Sequence, residues 1–508
     1  MRTLQDALSR LSPKVLTGIR RGIEKEGLRV LPTGSLALTP HPLALGSALT
    51  HPYITTDYSE SQIELITGAH QGVADCLQEL ASVHQFVYRT LQAQGDEMLW
   101  VSSMPCGLPT DETIPLARYG GSNVGRAKSI YRMGLGHRYG RRMQTISGIH
   151  YNWSLPGVGS DEYFALIRNF RRSAFVLLYL FGASPALCPC FVEGRQHNLQ
   201  KLSPHALYLP HATSLRMGRL GYQSDAQASL AVSYNGLQGY AQSLHGALTQ
   251  PYPAYEAIGL RNPGGDYNQL GTSLLQIENE FYGTIRPKRT VRSGERPLHA
   301  LRERGVEYVE VRLMDLDPFE PLGITERTMR LLDVFLLHCL LADSPPDSPE
   351  EIAEIQHNQQ LTAERGREPG LVLHRKGQAV AFQDWAAEIL HTCTPVAQAL
   401  DAAHASQDYT AALGYAHQLL ATPGQTSSAR VLKQMEQQHG NSFQEFALYQ
   451  SHQVRNTALA WPWTPQQQAR WDAQAAQSLA EQAAIEAADT LPFEAWRQRY
   501  MAVEGLSV

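Results

Sequence analysis

No run of this 508-residue chain is apolar for long enough to cross a bilayer. The longest, residues 174–183, is about half of the ~20 residues a spanning helix needs. The first twenty residues lack the apolar core of a secretory leader, so a water-soluble, cytoplasmic protein without a membrane partner is expected. Charge of one sign is also scarce. Lys and Arg total 43 against 48 Asp and Glu, giving a net charge of −5 with no basic block, which speaks against nucleic acid as a partner. Cysteines number only six, with no C-x-x-C pair, so neither a zinc finger nor a redox dithiol is indicated. Cys188-Pro-Cys190 is the one close pair and reads as two small buried side chains beside a turn. Long flexible linkers and internal repeats are absent too. One catalytic unit spanning 1–508 is expected, with a sheet-bearing core over 1–320 and a mainly helical part over 321–508 packed on it.

Acidic residues in strand-like segments are what the chain does have. Nine carboxylates fall in four segments of alternating pattern: Arg21–Val30, Ile54–Thr67, Ser273–Ile285 and Val306–Leu313. Alternation on a strand puts Glu24 and Glu26 on one face, Glu278, Glu280 and Tyr282 on another, and Tyr308, Glu310 and Arg312 on a third. Residues 147–155 alternate likewise and align His150, Asn152 and Ser154. Like charges across paired strands repel, so an acid-lined sheet becomes favourable when divalent cations sit on it. Carboxylates without clustered thiols or imidazoles suit hard ions such as Mg²⁺ or Mn²⁺.

Cations follow the acids. Arg286, Lys288, Arg289 and Arg292 come directly after the third acidic segment, in the pattern expected beside a metal–triphosphate. Arg312 stands two residues from Glu310 on the same face and needs an anionic partner if buried. Tyr131, Arg132, Gln144, Arg216, Tyr222 and Tyr282 are residues of the kind that clamp an amino acid's carboxylate and wall a small polar pocket. The G-G-S-N-V-G-R stretch at 120–126 lacks the G-K-[ST] ending of a phosphate loop. Helical periodicity is expected over 71–94, 129–143, 161–181 (capped by Asp161) and 236–248, and helices dominate after Pro318. Ser442 and Thr464 each open a capping-box pattern, and 467–488 is helical on propensity.

The strings RGIEKEGLR (21–29), LGSALTHPYITTDYSESQIELIT (45–67), GSNVGRAKSIYR (121–132), RYGRRMQTISGIHYNWSLP (138–156), TSLRMGRLGY (213–222), LQIENEFYGTIRPKR (275–289) and GVEYVEVRLMDLDPF (305–319) closely resemble the proteobacterial glutamate–cysteine ligases. The likeness runs in order to about residue 345 and is looser beyond. It implies an α+β, glutamine-synthetase-like fold whose mainly antiparallel sheet forms a funnel-shaped active site. It implies ATP as cosubstrate, two or three Mg²⁺ (Mn²⁺ as a substitute), and L-glutamate and L-cysteine as substrates. Glutathione, which resembles the product extended by one residue, is expected as a feedback inhibitor overlapping both amino-acid sites, and a monomer is expected as the working form. By motif, Glu24, Glu26, Asp57, Glu64, His150 and Glu310 would belong to the metal centre. Tyr131, Tyr222 and Tyr282 would frame cysteine with Arg132 nearby, and Gln144 and Arg216 would hold glutamate. Arg312 and Glu310 would act at the transferring phosphoryl group. A ligase joining glutamate to a different amine is the alternative, which the metal and phosphate residues alone do not separate from it.

Overall fold

The computed structural model describes residues 4–221, 225–227, 230–292 and 294–502. Its centre is an antiparallel sheet of seven strands: β1 (Arg20–Val30), β2 (Ile54–Thr56), β3 (Gln62–Ile66), β4 (Met98–Leu99), β5 (Ile149–Ser154), β6 (Ile285–Lys288) and β7 (Tyr308–Met314). The order across the sheet is β2-β3-β1-β5-β7-β6, with β4 pairing the far end of β1. The fold is α+β, and the last third of the chain is mainly helical.

Alternation gives this sheet two unlike faces. One carries Ile23, Ile63, Tyr151, Trp153, Val309 and Val311, all fully buried. Three helices pack behind the sheet on this side, α1 (Val73–Ala93), α2 (Ser160–Ser173) and α3 (Glu326–Leu341). Two charged side chains also point that way and are accommodated differently. Arg21 pairs with Asp333 of α3 (Nη2–Oδ2 3.0 Å), and Tyr151 donates its hydroxyl to the same carboxylate at 2.8 Å. Lys25 has no acid. Its Nζ lies 2.6 Å from His84 Nε2 of α1, and burial pulls the amine down to about 7 and the imidazole well below its usual range. A neutral amine beside a neutral ring is the state burial favours there.

Several expectations are corrected. Residues 273–285 are not a strand: Glu278–Glu280 form a 3₁₀ turn, and the strand begins only at Ile285. Residues 54–67 fold as a hairpin of two short strands. The helix expected from 129 begins at Asn123, where Ser122 Oγ accepts the Gly125 N–H, and it ends at Gly140 with φ 80°. The 161–181 helix is two helices, Ser160–Ser173 and Phe175–Phe181, and Asp161 does not cap the first; the Glu162 carboxylate instead accepts the Gly159 N–H. The helical third is interrupted by a hairpin, Val372–Arg375 with Gln378–Ala381, whose two turn residues Lys376 and Gly377 both have positive φ (53° and 76°). Thr464 and Gln467 do form the reciprocal cap, with Pro465 at the first helical position.

Candidate active site

The sheet's other face is polar, and register decides which of its groups meet. Glu26 on β1 stands directly opposite Glu64 on β3, and Glu24 opposite His150 on β5. Asn152 of β5 faces Glu310 of β7, which faces Arg286 of β6 on its other side. Five strands that are distant in sequence thus deliver one stripe of side chains. His150 lies between two carboxylate groups. Its Nδ1 is 3.2 Å from Glu24 and 3.9 Å from Glu310, and its Nε2 is 3.6 Å from Glu26. Glu24, His150 and Glu310 offer ligand atoms within 4.8 Å of one another, and so do Glu26, Glu64 and His150. Asp57, at the β2–β3 turn, is in neither set but is close enough to raise both Glu26 and Glu64.

The two ends of this stripe differ electrically. Glu310 is buried, yet Lys288 Nζ at 3.0 Å and Arg312 Nη1 at 2.9 Å overcome that burial and hold its carboxyl well below the usual range. Glu24 is pushed up by burial and by Glu310, but hydrogen bonding to His150 and the charge of Lys288 leave it below its ordinary value. Glu26 is pushed up to about 8 by burial and by Asp57, although the Gly148 N–H donates to it at 2.7 Å. Glu64 is driven well above the usual range by burial and then by Glu24, Asp57, Glu26 and Glu310. In the protein alone at neutral pH, one end is therefore ionised and the other holds protons against mutual repulsion.

Such crowding of oxygen donors with one imidazole fits a hard divalent ion. Among the described residues, a buried ring nitrogen, His150 Nε2, and a buried amide oxygen, Asn152 Oδ1, find no hydrogen-bond partner. Both are acceptors aimed into the same stripe when the ring is protonated on Nδ1, as its contact with Glu24 favours. The residues present fit the metals that the resemblance implies.

Beside the stripe, Arg216 is fully buried. Its Nη2 donates to the Arg312 carbonyl at 2.8 Å, and its Nη1 is 3.7 Å from Asp315. Asp315 is itself held by Ser184 Oγ, Ser214 Oγ and the Ala183 N–H. Gly148 allows the guanidinium to lie flat on the backbone, because a Cβ there would come within 2.1 Å of Arg216 Nη2. Gln144 Nε2 donates to the Tyr282 hydroxyl at 2.8 Å, and Tyr282 packs edge-on against Tyr139. Arg132 is tied to the Asp57 carbonyl and lies over the Tyr119 ring (4.6 Å). The Tyr131 hydroxyl, raised by burial and Glu280, also feels Arg286, Arg132 and Asp57.

Not every residue singled out from the sequence arrives here. Glu278 binds Arg296 (2.8 Å) and Glu280 binds Arg138 (2.8 Å), so both serve buried ion pairs away from the sheet face. Lys288 and Arg286 line a cleft with Tyr240, Asn279 and Arg289. Arg289 turns its guanidinium to the Arg304 carbonyl and Glu307, and Arg292 is exposed on the loop beyond. Tyr222 lies outside the described residues. Asn152 was legible from its alternation with His150. Asp315 and Tyr139, which orient Arg216 and Tyr282, left no local signal because their partners are about 100 or more residues away.

The family model described as glutamate–cysteine ligase matches residues 4–362. The chain is 47% identical over 507 residues to the glutamate–cysteine ligase of Alcanivorax borkumensis, covering 96% of both proteins. It is 49% identical over 499 residues to that of Janthinobacterium sp., covering 95% of this chain and 94% of the relative. The crystal structure of the Francisella tularensis glutamate–cysteine ligase in complex with AMP superposes with a TM-score of 0.91 at 35% identity, over 96% of this chain and 99% of the other. With the acid stripe, its flanking cations and these likenesses together, the chain belongs to the glutamate–cysteine ligase family.

Proposed function

We propose that this protein joins the γ-carboxylate of L-glutamate to the amine of L-cysteine at the expense of ATP, the first step of glutathione biosynthesis. The observation that carries the reading is Glu310. It stands on the acid stripe between Lys288 and Arg312 and next to Glu24 and His150. A carboxylate is a poor acyl donor, and bringing it to a triphosphate sets anion against anion. Bound Mg²⁺ would supply the charge neutralisation that lets the two approach. Glu24, His150 and Glu310 would hold one ion, and Glu26 and Glu64 another on the far side of His150, with Asp57 close by.

The protein's own groups do the rest. Lys288 and Arg286 neutralise phosphate oxygens, with Arg289 lining the same cleft and Arg292 on the loop beyond it. Gln144 and Arg216 orient glutamate. The γ-carboxylate oxygen then attacks the terminal phosphorus, ADP leaves, and an acyl phosphate forms. Cysteine, walled by Tyr131 and Tyr282 with Arg132 alongside, presents its amine to the acyl carbon. The C–N bond forms, a proton leaves nitrogen, and phosphate departs. Arg312 faces the oxygen that gains charge in both steps. The reading treats the chain as one catalytic unit, a sheet-bearing core over 1–320 with the mainly helical 321–508 packed on it, and is supported by Asp333 of α3 pairing with Arg21 behind the sheet. A monomer, a cytoplasmic location and competition by glutathione at the amino-acid sites complete the reading.

The test uses purified protein with Mg²⁺, ATP and glutamate. Phosphate release dependent on cysteine, together with γ-glutamylcysteine detected by mass, is expected. Comparing kcat/KM for cysteine, 2-aminobutyrate and simple amines decides the alternative of another amine acceptor. A simple amine outperforming cysteine overturns the assignment of substrate, and inhibition by glutathione that does not compete with glutamate overturns the assignment of inhibitor.

A further inference from the structure

Away from the acid stripe, the fold gathers three thiols that the sequence scatters. Cys106 is 1% exposed and comes from the loop after β4. Cys188 and Cys190 flank Pro189 at the start of a 3₁₀ turn, Pro189–Phe191, and both are half-buried. The three Sγ atoms lie within 4.8 Å of one another, and the Cys188 and Cys190 sulfurs are 2.9 Å apart. This differs from the pair of buried side chains expected from the C-P-C spacing alone. The remaining three cysteines, Cys76, Cys339 and Cys393, are buried elsewhere.

Two features distinguish this group from thiols that merely pack. First, backbone amides point at the sulfurs: those of Gly107 and Cys190 donate to Cys188 Sγ, and that of Leu108 donates to Cys190 Sγ. Amide donors to sulfur stabilise thiolate over thiol, and they are the usual outer partners of metal-bound cysteines. Second, the backbone carrying the ligands is fixed before any ion arrives. Gly107 (φ 61°) lies so close to Gly34 that a Cβ would sit 2.4 Å from the Gly34 carbonyl oxygen. Arg142 joins the two segments by donating to the Glu193 carboxylate at 2.9 Å and to the Pro109 carbonyl at 3.4 Å.

We propose that Cys106, Cys188 and Cys190 form a three-thiolate site for a soft monovalent d¹⁰ cation, Cu(I). Among the described residues no histidine or carboxylate joins the cluster, so a fourth ligand of the kind tetrahedral zinc takes is not supplied. Three soft sulfurs without a hard donor match Cu(I), which accepts three-coordination and prefers thiolate. Binding one ion releases the protons still held on the thiols. It closes a loop between residues 106 and 188 with metal–sulfur bonds, and the half-exposed faces of Cys188 and Cys190 leave the ion a route in. The site is separate from the Mg²⁺ positions in donor type: oxygen and imidazole there, sulfur here.

The experiment titrates reduced, metal-free, full-length protein with Cu(I) held as its complex with a chromophoric bidentate chelator. The wild type is expected to withdraw one equivalent, and X-ray absorption to show three sulfur neighbours at about 2.3 Å. Cys106→Ser and Cys190→Ser should each compete at least 100-fold less well, while Cys339→Ser competes like the wild type. Each variant's unfolding midpoint and its Mg²⁺-supported ligase activity without copper establish that it folds. If the buried Cys106→Ser does not fold, the partly exposed Cys188→Ser and Cys190→Ser carry the comparison. Copper left with the chelator by the wild type overturns the proposal. So does an equal affinity in the Cys188 and Cys190 variants, or nitrogen and oxygen neighbours in place of sulfur.

Discussion

Replacing Glu310 by Gln removes one negative charge and almost no volume, and the structure separates its effects on folding and on turnover. Each of the ion pairs to Lys288 (3.0 Å) and Arg312 (2.9 Å) has a gross Coulomb energy of about 5–6 kcal/mol at an effective dielectric of ~20. Opposing them are the burial of the carboxylate and the like charge of Glu24, both of which disfavour the ionised acid. Lys288 and Arg312 also keep other acids of the stripe in reach after the change. We therefore expect Glu310→Gln to shift folding stability by no more than about 2 kcal/mol, a few degrees in unfolding midpoint. Turnover should behave differently, because no other group balances both cations and the phosphoryl charge at that point. A drop in kcat of about 10²–10⁴-fold is expected, equivalent to about 3–5 kcal/mol of barrier. The assay is phosphate release at saturating ATP, glutamate, cysteine and Mg²⁺, run beside urea unfolding, with the exposed Glu303→Gln as a charge-matched control. Near-normal turnover refutes the role of Glu310. Loss of the fold in parallel with activity refutes the separation of the two effects.

Other expectations follow from single contacts. Gly148→Ala displaces the Arg216 guanidinium, so KM for glutamate should rise about tenfold or more while KM for cysteine moves little; equal changes in both would count against Arg216 as a glutamate ligand. Tyr282→Phe removes the hydrogen bond from Gln144 but keeps the contact with Tyr139, and should lower kcat/KM by about 5–10-fold, about 1 kcal/mol. Asp333→Ala strands the buried Arg21 charge and should cost about 3–5 kcal/mol in urea unfolding; a loss under 1 kcal/mol would contradict the pairing. His51 Nδ1 accepts the N–H groups of Tyr53 and Ile54, and burial holds its ring down to about 4. The folded state then binds fewer protons than the unfolded state between about pH 6.5 and 4, so this contribution is full above 6.5 and is lost as pH falls toward 4. Its limit is about 3 kcal/mol. His51→Gln keeps an acceptor and should flatten that part of the stability–pH curve.

The acid stripe was legible because a strand's period of two is written into any half-buried strand. Glu24, Glu26 and Glu310 could be assigned a face from Ile23, Val309 and Val311 next to them. The same rule misled at 273–285, where an alternating pattern folds as a turn. There Glu278 and Glu280 are drawn off by Arg296 and Arg138, partners that alternation does not reveal. Lys376-Gly377 was passed over because the turn requires positive φ at a lysine, which composition does not announce.

Residue order and side-chain type by themselves determined the two-faced strands, the helical last third, the oxygen-rich donor set and the family. All of these rest on contacts between near neighbours in the chain or on matches of whole strings. Tertiary structure alone decided that Glu26 faces Glu64, that His150 sits between both carboxylate groups, that Asp315 steers Arg216, and that Cys106 meets Cys188 and Cys190. Those meetings depend on strand register and loop closure across tens to hundreds of residues. Register is set by the burial of the opposite, apolar face rather than by the functional groups themselves.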